Sequence, residues 1–354
     1  MSDILFSTKK GNGGLIGFIT LNRVKTLNAL TFEMVCAMRK QLMAWQEDEA
    51  IHAVVVQSNS EKAFCAGGDV VKLRQISEKS PENPMAFFKE EYLLNCLIRA
   101  YTKPYVCLLN GLTIGGGVGI SLHGNYPIAT EHFSFAMPET GIGFFPDVGG
   151  GYLLTRCKGA FGLYLGLTGK RISRADATFC GLIQYTIASD KQADFIHALL
   201  EADLSEKTNA SMASLLSLFA DKKPKLSGLR NDEEAVNHAF SAGSVETIFL
   251  RLEAQNTPWS QKTLLLLRAK SPTALKVTFE QLKRVAGLSM EDTMRIEFGM
   301  SAQFMKSNDF FEGVRALLID KDGKPNWQPN QLKKVSKESV EAYFSANQGA
   351  SQLF

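Results

Sequence analysis

Short β-branched runs that end in glycine-rich connections constrain this chain more than any other feature. "YVCLL" (Tyr105–Leu109) leads into "NGLTIGGGVGISLHG", and "HAVVVQS" (residues 52–58) leads into "KAFCAGGDV". Glycine beyond a buried strand lets a ligand approach the main chain, and α/β folds collect ligands at strand ends. "LIGFITL" (Leu15–Leu21) reads as another buried strand. Between it and residues 52–58, Phe32, Val35, Leu42 and Trp45 recur near helical spacing, which makes one β-helix-β unit over residues 15–58. The pattern returns with a helix over residues 84–101, the strand "YVCLL", a glycine cluster, and the strands "NYPIAT" and "FSFAM". After about Ser189 strand signals fade. Ser271 followed by Pro272 makes a good helix start, with Leu275, Phe279 and Leu282 on one stripe, and Ala286-Gly287 ends that helix. Ser289 with Asp292 starts another, as a weaker capping box. Residues 221–230, rich in lysine, proline and glycine, read as a linker, and residues 321–329 as turns.

With 354 residues, 45% of them apolar and 21% charged, the chain can bury a sizeable core as one large domain or two modest ones. A net charge of +3 is too mild for a nucleic-acid partner, yet it permits a local basic patch for a phosphorylated ligand. Six cysteines stand in apolar surroundings without a CxxC pair or a histidine-rich spacing, so they read as free thiols in a reducing compartment, and no metal is expected. The start, "MSDILFSTKK", lacks the order of a secretory signal, and no apolar run nears the roughly 18 residues of a membrane span. These features lead us to expect a soluble cytoplasmic protein with no membrane partner.

"PETGIGFFPDVGGG" (residues 138–151) sets two carboxylates, Glu139 and Asp147, in a segment otherwise apolar or glycine. Such acids face solvent, meet a neutralising partner, or serve chemistry, because burying an unpaired carboxylate is costly. Asp147 also suits a cap on the turn "VGGG" that follows it. Common hydrolase devices are missing: there is no GxSxG, HExxH or GxxxxGK[ST], and no GxGxxG in register after a strand. Ser121 and His123 are two apart and cannot pair on a helix. The spacing Phe87, Glu91, Leu94, Ile98 puts Glu91 on the apolar stripe of its helix; a slight rotation would return it to the surface. Each glycine segment alone reads as a tight turn. Two backbone N–H groups from such segments, aimed at one point, would form an oxyanion hole, each donor worth about 3 kcal/mol in a dry site. The pairs Phe87-Phe88, Phe144-Phe145 and Phe310-Phe311 read as core, with Phe144 and Phe145 also suited to wall a pocket between the two acids.

"LNRVKTLNALT", "KAFCAGGDV", "NGLTIGGGVGISL", "FAMPETGIGFFPDVGGG" and "LTGKRISRADATFCGLI", in this order, resemble the crotonase (enoyl-CoA hydratase/isomerase) superfamily over residues 4–188. "FFKEEYLLN", "SPTALKVT" and "FFEGVRALLIDKDGKPNWQP" extend the likeness, toward the 3-hydroxyisobutyryl-CoA hydrolase branch, over nearly the whole chain. The resemblance implies an α/β fold: a crotonase-type spiral of β-β-α turns over residues 1–188, which forms the acyl-CoA-binding core, with a mostly helical region over residues 189–354 packing on it. It also implies that the backbone N–H groups of Gly68 and Gly116 hold a thioester carbonyl, that Glu91 contacts substrate, and that no metal or other cofactor is needed, coenzyme A being part of the substrate. In hydratases of the superfamily a glutamate sits three residues after the second oxyanion glycine; here that position is Gly119, while the second acid remains as Glu139. Asp147 stands where hydratases commonly have glycine. Arg23, Lys25 and Lys62 lie in segments that the family turns toward coenzyme A, whose phosphates their charges suit.

The sequence therefore reads as a hydrolase of a short 3-hydroxyacyl-CoA, foremost 3-hydroxyisobutyryl-CoA in valine breakdown. Glu139 is the base or nucleophile, and Asp147 orients water or meets the hydroxyl. Two other readings share these features: an enoyl-CoA hydratase or isomerase of the same fold, and a non-catalytic acyl-CoA-binding protein. The expected partner is a small acyl-CoA, with self-assembly into a homo-oligomer left open.

Overall fold

The computed structural model describes residues 2–79, 83–205, 208–222 and 225–345, so part of the expected 221–230 linker lies outside the described residues. Along the chain the strands are β1 (Ile4–Lys10), β2 (Leu15–Leu21), β3 (Ile51–Ser58), β4 (Ala63–Cys65) and β5 (Tyr105–Leu109). They continue with β6 (Leu112–Ile114), β7 (Tyr126–Ala129), β8 (Ser134–Ala136), β9 (Ile172–Ser173) and β10 (Tyr185–Thr186). Two sheets result, a six-stranded one in the order β1-β2-β3-β5-β7-β10 and a four-stranded one in the order β4-β6-β8-β9.

The order of the strands is that of a spiral. Each of the successive pairs β3-β4, β5-β6 and β7-β8 sends its first strand to the larger sheet and its second to the smaller. A helix or helical turn follows each pair: Val70–Lys79, then Gly116–Gly119, then the 3-10 turn Glu139–Ile142. Strands β2, β3, β5 and β7 run parallel, which requires each connection to cross back over the sheet; only β1 joins the larger sheet antiparallel, through its short turn to β2. The expected spiral of β-β-α turns is therefore present, and the elements after Thr186 among the described residues are helical.

By proximity of its residues the chain divides into two compact units. The first comprises Met1–Gly68, Leu94–Phe135 and Ile172–Ser227, and holds both sheets. Its core follows strand periodicity: Ile16 and Phe18, Ala53 and Val55, and Val106 and Leu108 face one way and pack with Phe195, Leu199, Met212 and Leu216 from two helices. The second unit comprises Asp69–Leu93, Ala136–Arg171 and Gly228–Phe354. Its helix Pro272–Val285 starts as the sequence predicts, with the Ser271 hydroxyl accepting the Ala274 N–H at 3.1 Å and Pro272 in the first turn. Ser289 likewise caps Met290–Phe304. Phe144 is the hub of this unit's aromatic core, with ring centroids 4.6 Å from Phe145, 5.1 Å from Phe304, 5.4 Å from Phe310 and 5.7 Å from Phe88.

The glycine cluster after β6 opens only a single helical turn, Gly116–Gly119, because a glycine-rich turn loses too much backbone freedom to propagate. Its glycines serve close packing instead. A Cβ on Gly117 would stand 2.4 Å from the Cys65 carbonyl oxygen, so the turn is pressed against the end of β4. Gly117→Ala is therefore expected to cost about 1–3 kcal/mol of stability through overpacking. Equilibrium denaturation measures it, and an unchanged midpoint would show that the two segments do not meet this closely.

Candidate active site

In the first unit, both glycine segments are anchored by backbone geometry. The buried Asn28, itself in a left-handed conformation (φ 58°), donates through Nδ2 to the Phe64 carbonyl at 2.9 Å and the Ser58 hydroxyl at 2.7 Å. The Leu30 N–H donates to Gly67 O (2.8 Å) and the Ala66 N–H to Leu27 O (3.0 Å), tying residues 27–30 to the segment after β4. Gly67 has φ +98°, and a Cβ there would lie 3.3 Å from Ile114 O and 3.7 Å from the Gly116 amide nitrogen. The segments that carry Gly68 and Gly116 are thus neighbours. As the first residue of a one-turn helix, Gly116 has an N–H with no acceptor inside that helix. Of the basic residues expected here, Lys25 and Lys62 are exposed. Arg23 is partly engaged within the unit: it lies 3.6 Å from Asp3 and donates to Ala29 O at 3.0 Å.

The second unit holds the acids. Glu91, Glu139 and Asp147 are all buried, as is Glu297, which the sequence reading passed over. Glu91 lies on the inner face of the helix Asn83–Arg99, as its stripe predicts, while Glu90 is half-buried. Burial, then the charge of Asp147, pushes Glu91 well above the usual carboxylate range. Glu139 opens the 3-10 turn Glu139–Ile142; burial and then Asp147 push it well up, against the pull of its own amide and of Lys270. Burial raises Asp147 to about 7, opposed by the Tyr92 hydroxyl, which donates to its Oδ2 at 2.9 Å. Burial raises Glu297 to about 8, opposed first by the Gly149 amide. Glu91 Oε1 and Glu139 Oε2 are buried with no hydrogen-bond partner among the described residues. Buried polar atoms are almost always paired, so two carboxyl oxygens left open mark a place for chemistry or ligand.

Two amides of the turn after Asp147 are met by Glu297. Gly149 is the N-cap of the helix Gly150–Leu154, and the Gly149 and Gly151 amides donate to Glu297 at 2.8 and 3.0 Å. The sequence-derived residues thus fall into two groups: Gly68, Gly116, Arg23, Lys25 and Lys62 in the first unit, and Glu91, Glu139 and Asp147 in the second. The structure adds Tyr92, Lys270 and Glu297 to the second group. Lys270 reaches over the Glu139 turn, its Nζ 3.2 Å from where a Gly141 Cβ would be, and the adjacent Ser271 N–H donates to Thr140 O at 3.2 Å. Glu297 was within reach of periodicity, since it shares the buried face of its helix with Met290, Met294 and Ser301. Lys270 gives no such signal, because it lies in the break just before a helix cap. Among the described residues, no group of three or more His, Cys, Asp or Glu side chains is arranged to hold a metal ion, and no helix is long and apolar enough to cross a membrane.

A family model described as Enoyl-CoA hydratase/isomerase matches residues 16–344. A curated relative, the mitochondrial 3-hydroxyisobutyryl-CoA hydrolase of Danio rerio, is 42% identical over 351 residues, covering 98% of this chain and 90% of the relative. The protein of the same name from Homo sapiens is 39% identical over 337 residues, covering 94% and 87%. Two solved structures share the fold over nearly the whole chain. A carnitinyl-CoA dehydratase from Mycobacterium thermoresistibile has a TM-score of 0.87 at 37% identity, covering 97% of this chain and 96% of that one. An enoyl-CoA hydratase from Rhodobacter sphaeroides 2.4.1 has a TM-score of 0.88 at 34% identity, covering 97% of each. One expectation is overturned by the curated relatives: they are named mitochondrial, so the cytoplasmic location expected from the sequence does not stand. Free thiols and mild charge suit any reducing compartment, and composition could not separate one from another.

The buried acids carry a pH signature. A carboxyl raised by folding keeps its proton where the unfolded chain has lost it, so the folded state binds more protons between the ordinary values, 3.8 for Asp147 and 4.5 for Glu297, and the values of about 7 and 8 that they reach in the fold. Stability is therefore expected to fall as pH rises through that window. Asp147→Asn should flatten the decline, since it removes one raised carboxyl and its push on Glu91, Glu139 and Glu297. Denaturation midpoints across the window measure this; a slope that Asp147→Asn leaves untouched would place its origin elsewhere.

Proposed function

Because the chain belongs to the enoyl-CoA hydratase/isomerase family, in the branch of its 3-hydroxyisobutyryl-CoA hydrolase relatives, we propose that it hydrolyses a short 3-hydroxyacyl-CoA thioester, 3-hydroxyisobutyryl-CoA foremost, to the hydroxy acid and coenzyme A. The observation that carries the reading is Glu139: a buried carboxyl with one oxygen unpartnered among the described residues, in a loop that also carries a second buried acid, Asp147. Hydrolysis adds water across the C–S bond. The acyl carbon takes the hydroxyl, sulfur leaves with a proton, and charge builds on the carbonyl oxygen in between.

In this proposal the Gly68 and Gly116 amides donate to that oxygen, and Glu139 attacks the carbon or takes a proton from the attacking water. Asp147 and Glu91 contact the 3-hydroxyl, and one of the acids, kept protonated by the others' charge, can donate. Lys25 and Lys62, with Arg23, serve the coenzyme A phosphates. The division into an acyl-CoA-binding core over residues 1–188 and a helical region over residues 189–354 belongs to the same proposal, as does an assembly of several copies.

The two solved structures, a dehydratase and a hydratase, favour a second reading, addition or removal of water at a carbon–carbon bond. Gly119 speaks against it, since the resemblance places there one of the two acids that hold the added water, and glycine holds none. A panel of short acyl-CoAs with and without a 3-hydroxyl, followed at once for free thiol and enoyl absorbance, separates the readings. Thiol release supports hydrolysis; enoyl change without thiol supports hydration.

Glu139→Gln is expected to lower thiol release on the order of 10²–10⁴-fold with the fold intact, and a fully active variant would refute the assignment. Glu139 works ionised, so kcat/KM should fall as pH drops through its raised pKa. Lys270 opposes that rise, and Lys270→Met should move the acidic limb of the pH profile to higher pH. A limb that stays put would show that Lys270 does not tune this acid.

A further inference from the structure

Val148, the residue after Asp147, is buried with φ +52°. A β-branched residue in the left-handed region is a true outlier, is strained, and persists only where its surroundings enforce it. Here they grip the main chain on both sides of Asp147. After it, the Gly149 and Gly151 amides donate to Glu297 Oε2 and Oε1 at 2.8 and 3.0 Å. Before it, the Pro146 carbonyl accepts from Gln281 Nε2 at 2.8 Å, and the same nitrogen donates to Glu297 Oε1 at 3.0 Å. The carboxylate and the amide come from two different helices, Met290–Phe304 and Pro272–Val285. One turn further along, the Ser301 hydroxyl lies 2.7 Å from Tyr92 Oη, which donates to the Asp147 carboxyl.

An ordinary N-cap would satisfy the amides of this short helix with a local serine or aspartate. The fold instead buries a carboxylate from another helix, with no exposed surface, and keeps Gly151 bare so that it can approach: a Cβ there would stand 2.9 Å from Glu297 Oε1. We propose that Glu297, with Gln281, is a positioning residue that holds the strained Val148 turn and thereby aims the Asp147 carboxyl at the substrate's 3-hydroxyl. This rests on the functional reading above, in which Asp147 meets that hydroxyl.

The test is a double-mutant cycle on two substrates, 3-hydroxyisobutyryl-CoA and isobutyryl-CoA, with Glu297→Gln, Asp147→Asn and the pair. Glu297→Gln keeps the side-chain shape but turns an NH₂ group toward one of the amides. It should lower kcat/KM for the hydroxylated substrate by up to about 10²-fold, with a much smaller loss on the other, and the loss should vanish in the Asp147→Asn background. Equal losses on both substrates, or the same loss in both backgrounds, would mean a merely structural role and overturn the proposal. Should Glu297→Gln not fold, Gln281→Met releases only the Pro146 side of the grip and should show a weaker form of the same selective loss; equal loss on both substrates again overturns it. Calorimetric binding of the two acyl-CoAs separates this proposal from the functional reading. A wild type that releases no thiol sinks the reading alone, whereas a wild type with no binding preference for the hydroxyl, or a Glu297→Gln variant that keeps that preference, sinks the positioning role.

Discussion

Four buried carboxyl groups that feel one another's charge, with Asp147 in their midst, govern the second unit, and its main features answer the question of how each is to be tolerated. Glu297 is met by donors, two backbone amides and the Gln281 side chain, so its two oxygens accept three hydrogen bonds. Asp147 is met by a phenol that burial keeps protonated and therefore able to donate. Glu91 and Glu139 each keep one oxygen without a partner among the described residues. Like charges in a poorly solvated space cannot all ionise, and this asymmetry of partners sorts the four into different tasks. Lys270, itself depressed by burial and drawn back up by Glu139, biases the sorting toward an ionised Glu139.

What makes this arrangement rigid is the aromatic packing around Phe144. The segment holding both Glu139 and Asp147 sends Phe144 and Phe145 into a cluster with Phe304 and Phe310, so the loop is part of the core. A loop pinned in this way can carry a left-handed valine, because the strain is distributed over many contacts that would all have to be lost together. The first unit solves a different problem by similar means. Strand pairs shared between two sheets deliver glycine segments side by side, and Asn28, in the loop before the first helix, ties that loop to the end of β3 and to β4, from which the first segment leaves.

Much of the fold was legible because its signals are local. The strand Leu15–Leu21, the Thr31-capped helix Phe32–Glu47 and the Ser271-Pro272 helix start announce themselves through periodicity and capping chemistry, which act within a few residues. Glu91 was legible for the same reason: an acid on an apolar stripe is anomalous in sequence as well as in space. Glu297 obeys the same rule, and a count of its helix's stripe would have marked it. The close packing of the Gly116–Gly119 turn on Cys65 was not legible, since it joins residues some 50 positions apart in the chain. Nor was the partner of the Gly149 and Gly151 amides, because a local aspartate and a distant glutamate are equally good acceptors on paper.

By itself, then, the sequence determined the alternation of strand and helix, the glycine segments at strand ends, and the identity of the acids in the apolar loop. These depend on side-chain size, charge and spacing, which are properties of neighbours along the chain. Only the tertiary structure decided which acids are left with an open oxygen, which cation leans on Glu139, and which helix grips the turn after Asp147. Proton affinity and aim depend on burial and on partners within a few ångströms, and those are supplied by residues that can stand a hundred or more positions away.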